Sequence, residues 1–475
     1  MRIFNWIRAS AFVTRSSQSR RMLFSATVIA MATVATAIDA RAQGKTGNPG
    51  ELDSLVASAL VTNPDLAAAR GRVTAAHARI APAGSRPDPM LMAGLINVPV
   101  NNFSLTDDDM TMKMIGVTQT VPYPGKLRLA RRIAELEANE LVAEIDTVRL
   151  SVVRDVKVAY YEIAYIDAAL QAAHRIDSLS ANVVKAAELR YAAGRGAQQD
   201  VLRATLDATR LNETANGLIQ QRVALAEKIG ALGGGKAPSI ASATIPARVV
   251  SAAVDSDPSV IRFSSLSLGA AVAAGPLPPL VELQTLAVIA SPQVRRQVAR
   301  NAVAAAQLEL ARRQHLPDFD FSLQYGQRSG TMTDKSGMRV GRPDMVSFVV
   351  SIPVPIQRGT RQAALVTAAQ ADLTTGDAER RSSESLVRSE VGRLYSDATR
   401  ARTQLALYVK ALIPQARASL ASSVNAYQSG TGDLTAALEA RRTLLDMEVG
   451  YHRAMADFAE RIAELDSMTG QETLR

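Results

Sequence analysis

The 475-residue chain contains no cysteine. That absence excludes disulfides, thiolate metal sites, a cysteine nucleophile and a lipid-bearing N-terminal cysteine. Histidine is scarce: His77, His174, His315 and His452 stand far apart, in no ligand-like spacing, and read as helix-surface residues. After residue 42 no segment reaches the roughly 18 consecutive apolar residues of a transmembrane helix. Neither a nucleophile elbow, a Walker loop, a zinc motif nor an acid/base cluster is present. Gly194-x-Gly196 lacks the preceding strand that a phosphate loop needs. The chain is therefore expected to be no enzyme and to hold no cofactor or metal. The basic surplus is smaller than it looks. Residues 1–42 carry six arginines and one acid, so +5 of the net +9 belongs to them. The remaining charge, about +4, gives no reason to expect nucleic acid as a partner.

Residues 1–42 read as a signal peptide. Arg2, Arg8, Arg15, Arg20 and Arg21 form a basic start, Met22–Ala37 an apolar run, and Ala40-Arg41-Ala42 a small-x-small cleavage pattern. The alternative is an uncleaved anchor. Export without later transmembrane helices leaves three fates: periplasmic, secreted, or a β-barrel in the outer membrane.

The rest of the chain is written twice. Asn63-Pro64 recurs as Ser291-Pro292, and Arg86-Pro87-Asp88 as Leu316-Pro317-Asp318. Val121-Pro122-Tyr123-Pro124-Gly125 recurs as Val354-Pro355-Ile356-Gln357-Arg358-Gly359, and Tyr191–Gly196 as Tyr427–Gly432. Four landmarks in one order at a nearly constant offset indicate a duplicated unit. The first repeat spans 43–232 and the second 279–470. The linker at 233–278, opening on three glycines and closing on Gly275-Pro276-Leu277-Pro278-Pro279, is expected to be irregular.

From Lys126 to Arg190 there is neither proline nor glycine. Ile145, Val148, Val152, Val156, Ala159, Ile163, Ile166, Leu170 and Ala173 recur at steps of three and four, a coiled-coil seam. Long helices are expected near 125–191 and 359–428, the second kinked at Pro414, with returning helices near 198–232 and 433–468. Strands are expected near 88–100, 110–121, 317–328 and 345–355. Phe319, Phe321, Leu323 and Tyr325 alternate with Asp318, Asp320, Ser322 and Gln324, which suits lipid on one side and water on the other. Met90, Met92, Met110, Met112 and Met114 hold a looser alternation in the first pair. Thioethers bind Cu(I), but these methionines are read here as apolar residues facing lipid.

Four strands cannot stand alone in lipid, because their edges would expose unpaired backbone groups. The chain must oligomerise. Three copies supply twelve strands and room for a pore. The long apolar seams likewise need partners along their length.

This order of helix, strand, strand and long helical hairpin, repeated, resembles the outer membrane efflux protein family, the TolC-like outer membrane factors. The best matches are the tip motifs Tyr191-x-x-Gly194-x5-Asp200-Val201-Leu202 and Tyr427-x-x-Gly430-x7-Leu438-Glu439-Ala440. Leu412-Ile413-Pro414 looks more like the heavy-metal efflux branch than the drug-efflux branch. The resemblance implies a mainly α fold with membrane β: duplicated hairpins in a trimeric α-barrel, continued from a 12-stranded transmembrane β-barrel. It implies a homotrimer in outer-membrane lipid, extending into the periplasm and working with a periplasmic adaptor and an inner-membrane pump of RND type. The hairpin turns, at Gly194, Gly196, Gly430 and Gly432, would form the periplasmic entrance. Asp200 matches an entrance aspartate, Tyr427 an entrance tyrosine and Glu439 an acidic ring, and Tyr191 opens the first tip motif. Gly432 stands where some members carry a gating arginine, so Arg195 is the candidate substitute. Asp200 also suits a helix N-terminus. The alternative to a duct is a soluble periplasmic coiled-coil adaptor, against which the duplication argues.

Overall fold

The computed structural model describes residues 50–101, 103–106, 108–254, 277–333 and 335–473, and the expected signal peptide lies outside them. Helix α1 (Glu51–Thr62) and helix α2 (Pro64–Ala83) meet at Asn63. Its side chain accepts from the Leu66 amide at 2.9 Å and donates to the Leu232 carbonyl at 2.8 Å. The buried Asn63 thus caps one helix while tying down the end of another. Strands β1 (Met90–Ile96) and β2 (Met112–Val121) follow, then helix α3 (Lys126–Ala192) and helix α4 (Gln198–Leu232). At 67 residues α3 is about 100 Å long.

The second half repeats the plan. It runs through α6 (Leu280–Ala290), α7 (Pro292–Arg313), β3 (Phe319–Arg328), β6 (Met345–Ser351), α8 (Ala363–Leu407), α9 (Ile413–Ser429) and α10 (Leu434–Thr469). A short hairpin, β4 (Thr331–Thr333) with β5 (Arg339–Gly341), fills the loop between β3 and β6. The kink expected at Pro414 is a π-helical turn at Tyr408–Leu412, immediately before it. That turn places the Tyr408 phenol over Gly450, where a Cβ would lie 2.5 Å from its oxygen.

The seam of α3 is where the spacing put it. Val152, Val156, Ala159, Ile163, Ile166 and Ala173 are buried, and Ile145, Val148 and Leu170 half-buried. Most of these pack in one core with Val391 and Leu394 of α8 and Phe458 and Leu465 of α10.

Within the described part of the linker, residues 233–246 are irregular as expected, and one stretch departs from that expectation. Residues 247–253 form helix α5 (Ala247–Ala253), and Ile240, Ala243, Val249, Ala252 and Ala253 are buried in that same core. Asp167 of α3 holds it. One carboxylate oxygen takes Arg222 Nε at 2.6 Å and the other the Ala243 amide at 2.8 Å, while Arg222 also donates to the Ile240 carbonyl. The chain crosses α4 so closely that a Cβ on Gly230 would lie 2.7 Å from the Ala237 nitrogen. Small alanines with no period left no sequence signal for this packing.

The sheet runs β1-β2-β3-β6, antiparallel throughout, so the two halves join at β2–β3. Lys126 fastens that join at the helix end, its ammonium 2.8 Å from Asp318, whose Oδ1 also takes the Tyr123 amide at 2.7 Å. Register divides the sheet into two faces. One carries the rows Ala93–Ile115–Tyr325–Val346 and Leu91–Val117–Leu323–Phe348, then Gln119–Phe321–Val350. Its aromatic rings at 319, 321 and 348 lie 6.3–6.4 Å apart, and most of its apolar side chains are exposed. From Val121 to Ile115 the apolar band runs about 20 Å along the strand, against the ~25 Å belt of outer-membrane barrels.

The other face carries Thr118 with Ser322 and Thr120 with Asp320, hydrogen-bonded at 3.0 and 2.5 Å, and beyond them Gln324 with Ser347. The methionines correct a second expectation. The register puts Met90, Met92, Met112, Met114 and Met345 on this polar face, and Met110 lies before β2 begins. β1 is apolar at every position, so its own pattern could not say which face is which.

Candidate functional site

At the end of the hairpins opposite the sheet, α3 turns into α4 and α9 into α10. Both reversals use a glycine with positive φ: Gly194 at 66° and Gly430 at 80°. Such a residue ends a helix at little cost. The Gly194 amide donates to the Tyr191 carbonyl at 2.9 Å and the Gly430 amide to Tyr427 at 3.1 Å, so the turns are equivalent. Gly196 and Gly432 are needed for space instead. A Cβ on Gly432 would meet the Ala426 Cβ at 2.8 Å, and one on Gly196 the Arg190 Cβ at 3.1 Å. An arginine at 432 would force this turn to shift.

The arginine of this site is Arg190, which sequence spacing did not mark. From the last turn of α3 its guanidinium lies 4.6 Å from the centroid of the Tyr427 ring. It also donates to the Tyr427 carbonyl at 2.7 Å. A single side chain thus clasps the tip of the first hairpin to that of the second. Tyr427 is buried, with Ala187, Ala204 and Leu434 around it. Burial pushes its phenol pKa up against the opposing Arg190 charge, and Asp200 and Asp433 push it further, so both carboxylates stand near the ring. Asp200 lies in the first turn of α4. Tyr191, Arg195 and Glu439 are exposed, Arg195 on the first turn and Glu439 one turn into α10.

Charged contacts continue away from the tips, mostly between α10 and the first hairpin. Arg203 of α4 reaches Thr435 at 3.2 Å, and Arg441 pairs with Asp207. Glu448 takes Arg175 at 3.2 Å and Arg417 at 2.9 Å. Arg453 holds Glu162 at 2.7 and 2.6 Å, and Lys157 holds Asp466 at 3.3 Å. The ladder joins the two repeats along the antiparallel pair α3 and α10.

Glu460, on α10, is buried within it. Burial first, then the neighbouring Glu162 carboxylate, push its pKa up to about 8 against the pull of Arg453. Asp457 adds to the rise, and Arg461 lies 3.6 Å away. An ordinary glutamate sits near 4.5. Between these values the folded chain keeps a proton that the unfolded chain has released, so this group's contribution is full at low pH and falls through the window. Glu460→Gln should flatten the loss of thermal stability from about pH 5 to 8 and melt above the wild type at about pH 9. Parallel melting curves across that range would contradict the buried, protonated carboxyl.

The profile of the outer membrane efflux protein family matches residues 55–232 and 283–471. Among curated proteins none matches significantly. Solved structures resemble the chain throughout. The outer-membrane channel OprN superposes with a TM-score of 0.70 at 19% identity, over 89% of this chain and 90% of that one. VceC from Vibrio cholerae gives 0.69 at 20%, covering 89% and 97%, and CusC 0.70 at 16%, covering 89% and 92%. At these identities the likeness establishes the fold.

Proposed function

Because the chain belongs to the outer membrane efflux protein family, we propose that it is one of three identical subunits of a passive exit duct. In this reading four strands from each copy close a 12-stranded barrel in the outer membrane. The hairpins continue it through the periplasm as a helical tube. Substrates arrive from an RND-type inner-membrane pump through a periplasmic adaptor. Movement through a water-filled tube needs no catalytic group, cofactor or N-terminal lipid. Tyr427, Asp200 and Arg190 hold the periplasmic entrance, with Tyr191, Arg195 and Glu439 lining its rim.

One observation carries the reading: the two-faced sheet at the end of the ~100 Å hairpins. Its apolar face is exposed in the single chain, and its outer strands β1 and β6 have open edges. Lipid and neighbouring copies satisfy both at once. A soluble adaptor would leave that face in water. Cell fractionation separates the two. The duct sediments with the outer membrane and requires detergent, whereas recovery in osmotic-shock fluid would overturn the proposal.

A further inference from the structure

The polar face of the sheet holds a feature that a simple water-lined wall does not require. After residue 42, every methionine except Met447, Met455 and Met468 lies in a strand or a loop joining strands. Met92, Met112, Met114 and Met345 share the polar face, in its half farthest from the helices.

Glycines separate them. Met114 pairs with Gly94 on one side and Gly326 on the other, and Met345 lies across Gly326 from Met114. Met92 faces Gly116, diagonal to Met114. With strands about 4.8 Å apart, Met114 and Met345 stand about 10 Å apart across Gly326, which has no side chain of its own. Unbranched thioether side chains can lean together over such a gap. Met112 already does so: its sulfur lies 2.6 Å from where a Cβ on Gly326 would be. Larger residues at 94, 116 and 326 would fill that space and hold the sulfurs apart.

Thioether sulfur is a soft, uncharged ligand that selects Cu(I) and similar ions over hard cations. Among the described residues no group of three or more His, Asp or Glu side chains is placed to hold a metal, and the chain has no cysteine. We propose that Met92, Met112, Met114 and Met345 form a thioether site on the channel wall, near the outer mouth, that takes soft monovalent cations such as Cu(I) or Ag(I). The proposal rests on the duct reading, which turns the polar face inward. In a closed trimer β6 of one copy lies beside β1 of the next, so the patches join into a ring. Neutral, flexible ligands suit a conducting site, where a cation must bind weakly enough to leave.

The test uses the full-length protein in planar bilayers with potassium nitrate as electrolyte and silver nitrate as probe. The comparison variant replaces Met92, Met112, Met114 and Met345 with leucine, a nearly volume-conserving change. Both proteins should conduct potassium equally. Silver should block the wild type, reversibly on adding free methionine, and the variant should need at least about tenfold more silver, the worth of roughly 1.4 kcal/mol of lost ligation. Equal block in both, or none in the wild type, would overturn the thioether site and leave the duct intact. Absence of potassium conductance in the wild type would instead overturn the duct and the inward-facing patch with it.

Discussion

Replacing Arg190 with alanine is expected to raise the conductance of the reconstituted channel several-fold. Arg190 links the two tips of a protomer directly, through a 2.7 Å hydrogen bond to the Tyr427 carbonyl beneath a guanidinium stacked 4.6 Å from the ring. A charge-assisted hydrogen bond is worth about 2 kcal/mol and a partly desolvated cation–π contact about 1 kcal/mol. Three copies acting together shift the closed–open balance by more than the few kcal/mol that commonly separate such states. The fold should survive, because the apolar cluster of Ala187, Ala204 and Leu434 remains under Tyr427. Arg190→Lys keeps the charge without the planar fork and should fall between. Arg195→Ala should change conductance little, since that side chain lies exposed on the turn. Unchanged conductance in Arg190→Ala would remove the clasp from the entrance.

A cation on the aromatic face of the sheet is expected to stop assembly, whereas the same cation one residue later is not. Leu323 sits in the middle row of the apolar band, between Val117 and Phe348. Arginine facing lipid near the midplane costs about 2–4 kcal/mol per chain, and a trimer carries that cost three times. Leu323→Arg should abolish the detergent-stable oligomer and its place in the outer membrane. Gln324, on the opposite face between Gly116 and Ser347, looks into water. Gln324→Arg should assemble normally and shift the channel toward anions. Equal tolerance of the two would contradict the assignment of faces.

What could be read from the chain alone depended on how local the signal was. The duplicated Asn63-Pro64 and Ser291-Pro292 junctions, the seam of α3 and the alternation of β3 are local patterns, and each of these elements is present. Register is not local. The β1 segment Met90–Ile96 is apolar on both faces, so only its pairing with β2, and through it with β3, turned the methionines toward the polar side. The linker lacked any period, yet Asp167 and Arg222 tie it into the core. Arg190 was hidden because its partner lies 237 residues away in the other repeat. Only its place before Tyr191 in the tip motif hinted at a role. Gly432 shows the converse: the departure from an arginine was visible, but the steric reason, Ala426, was not.

The central claim is that three of these chains close one barrel, and the mass of the detergent-extracted complex tests it most directly. Native mass spectrometry on protein taken from the outer membrane should give three copies of the processed chain. A complex of two copies would supply only eight strands, whose interior fills with side chains. That result, or a single chain stable without detergent, would contradict the account.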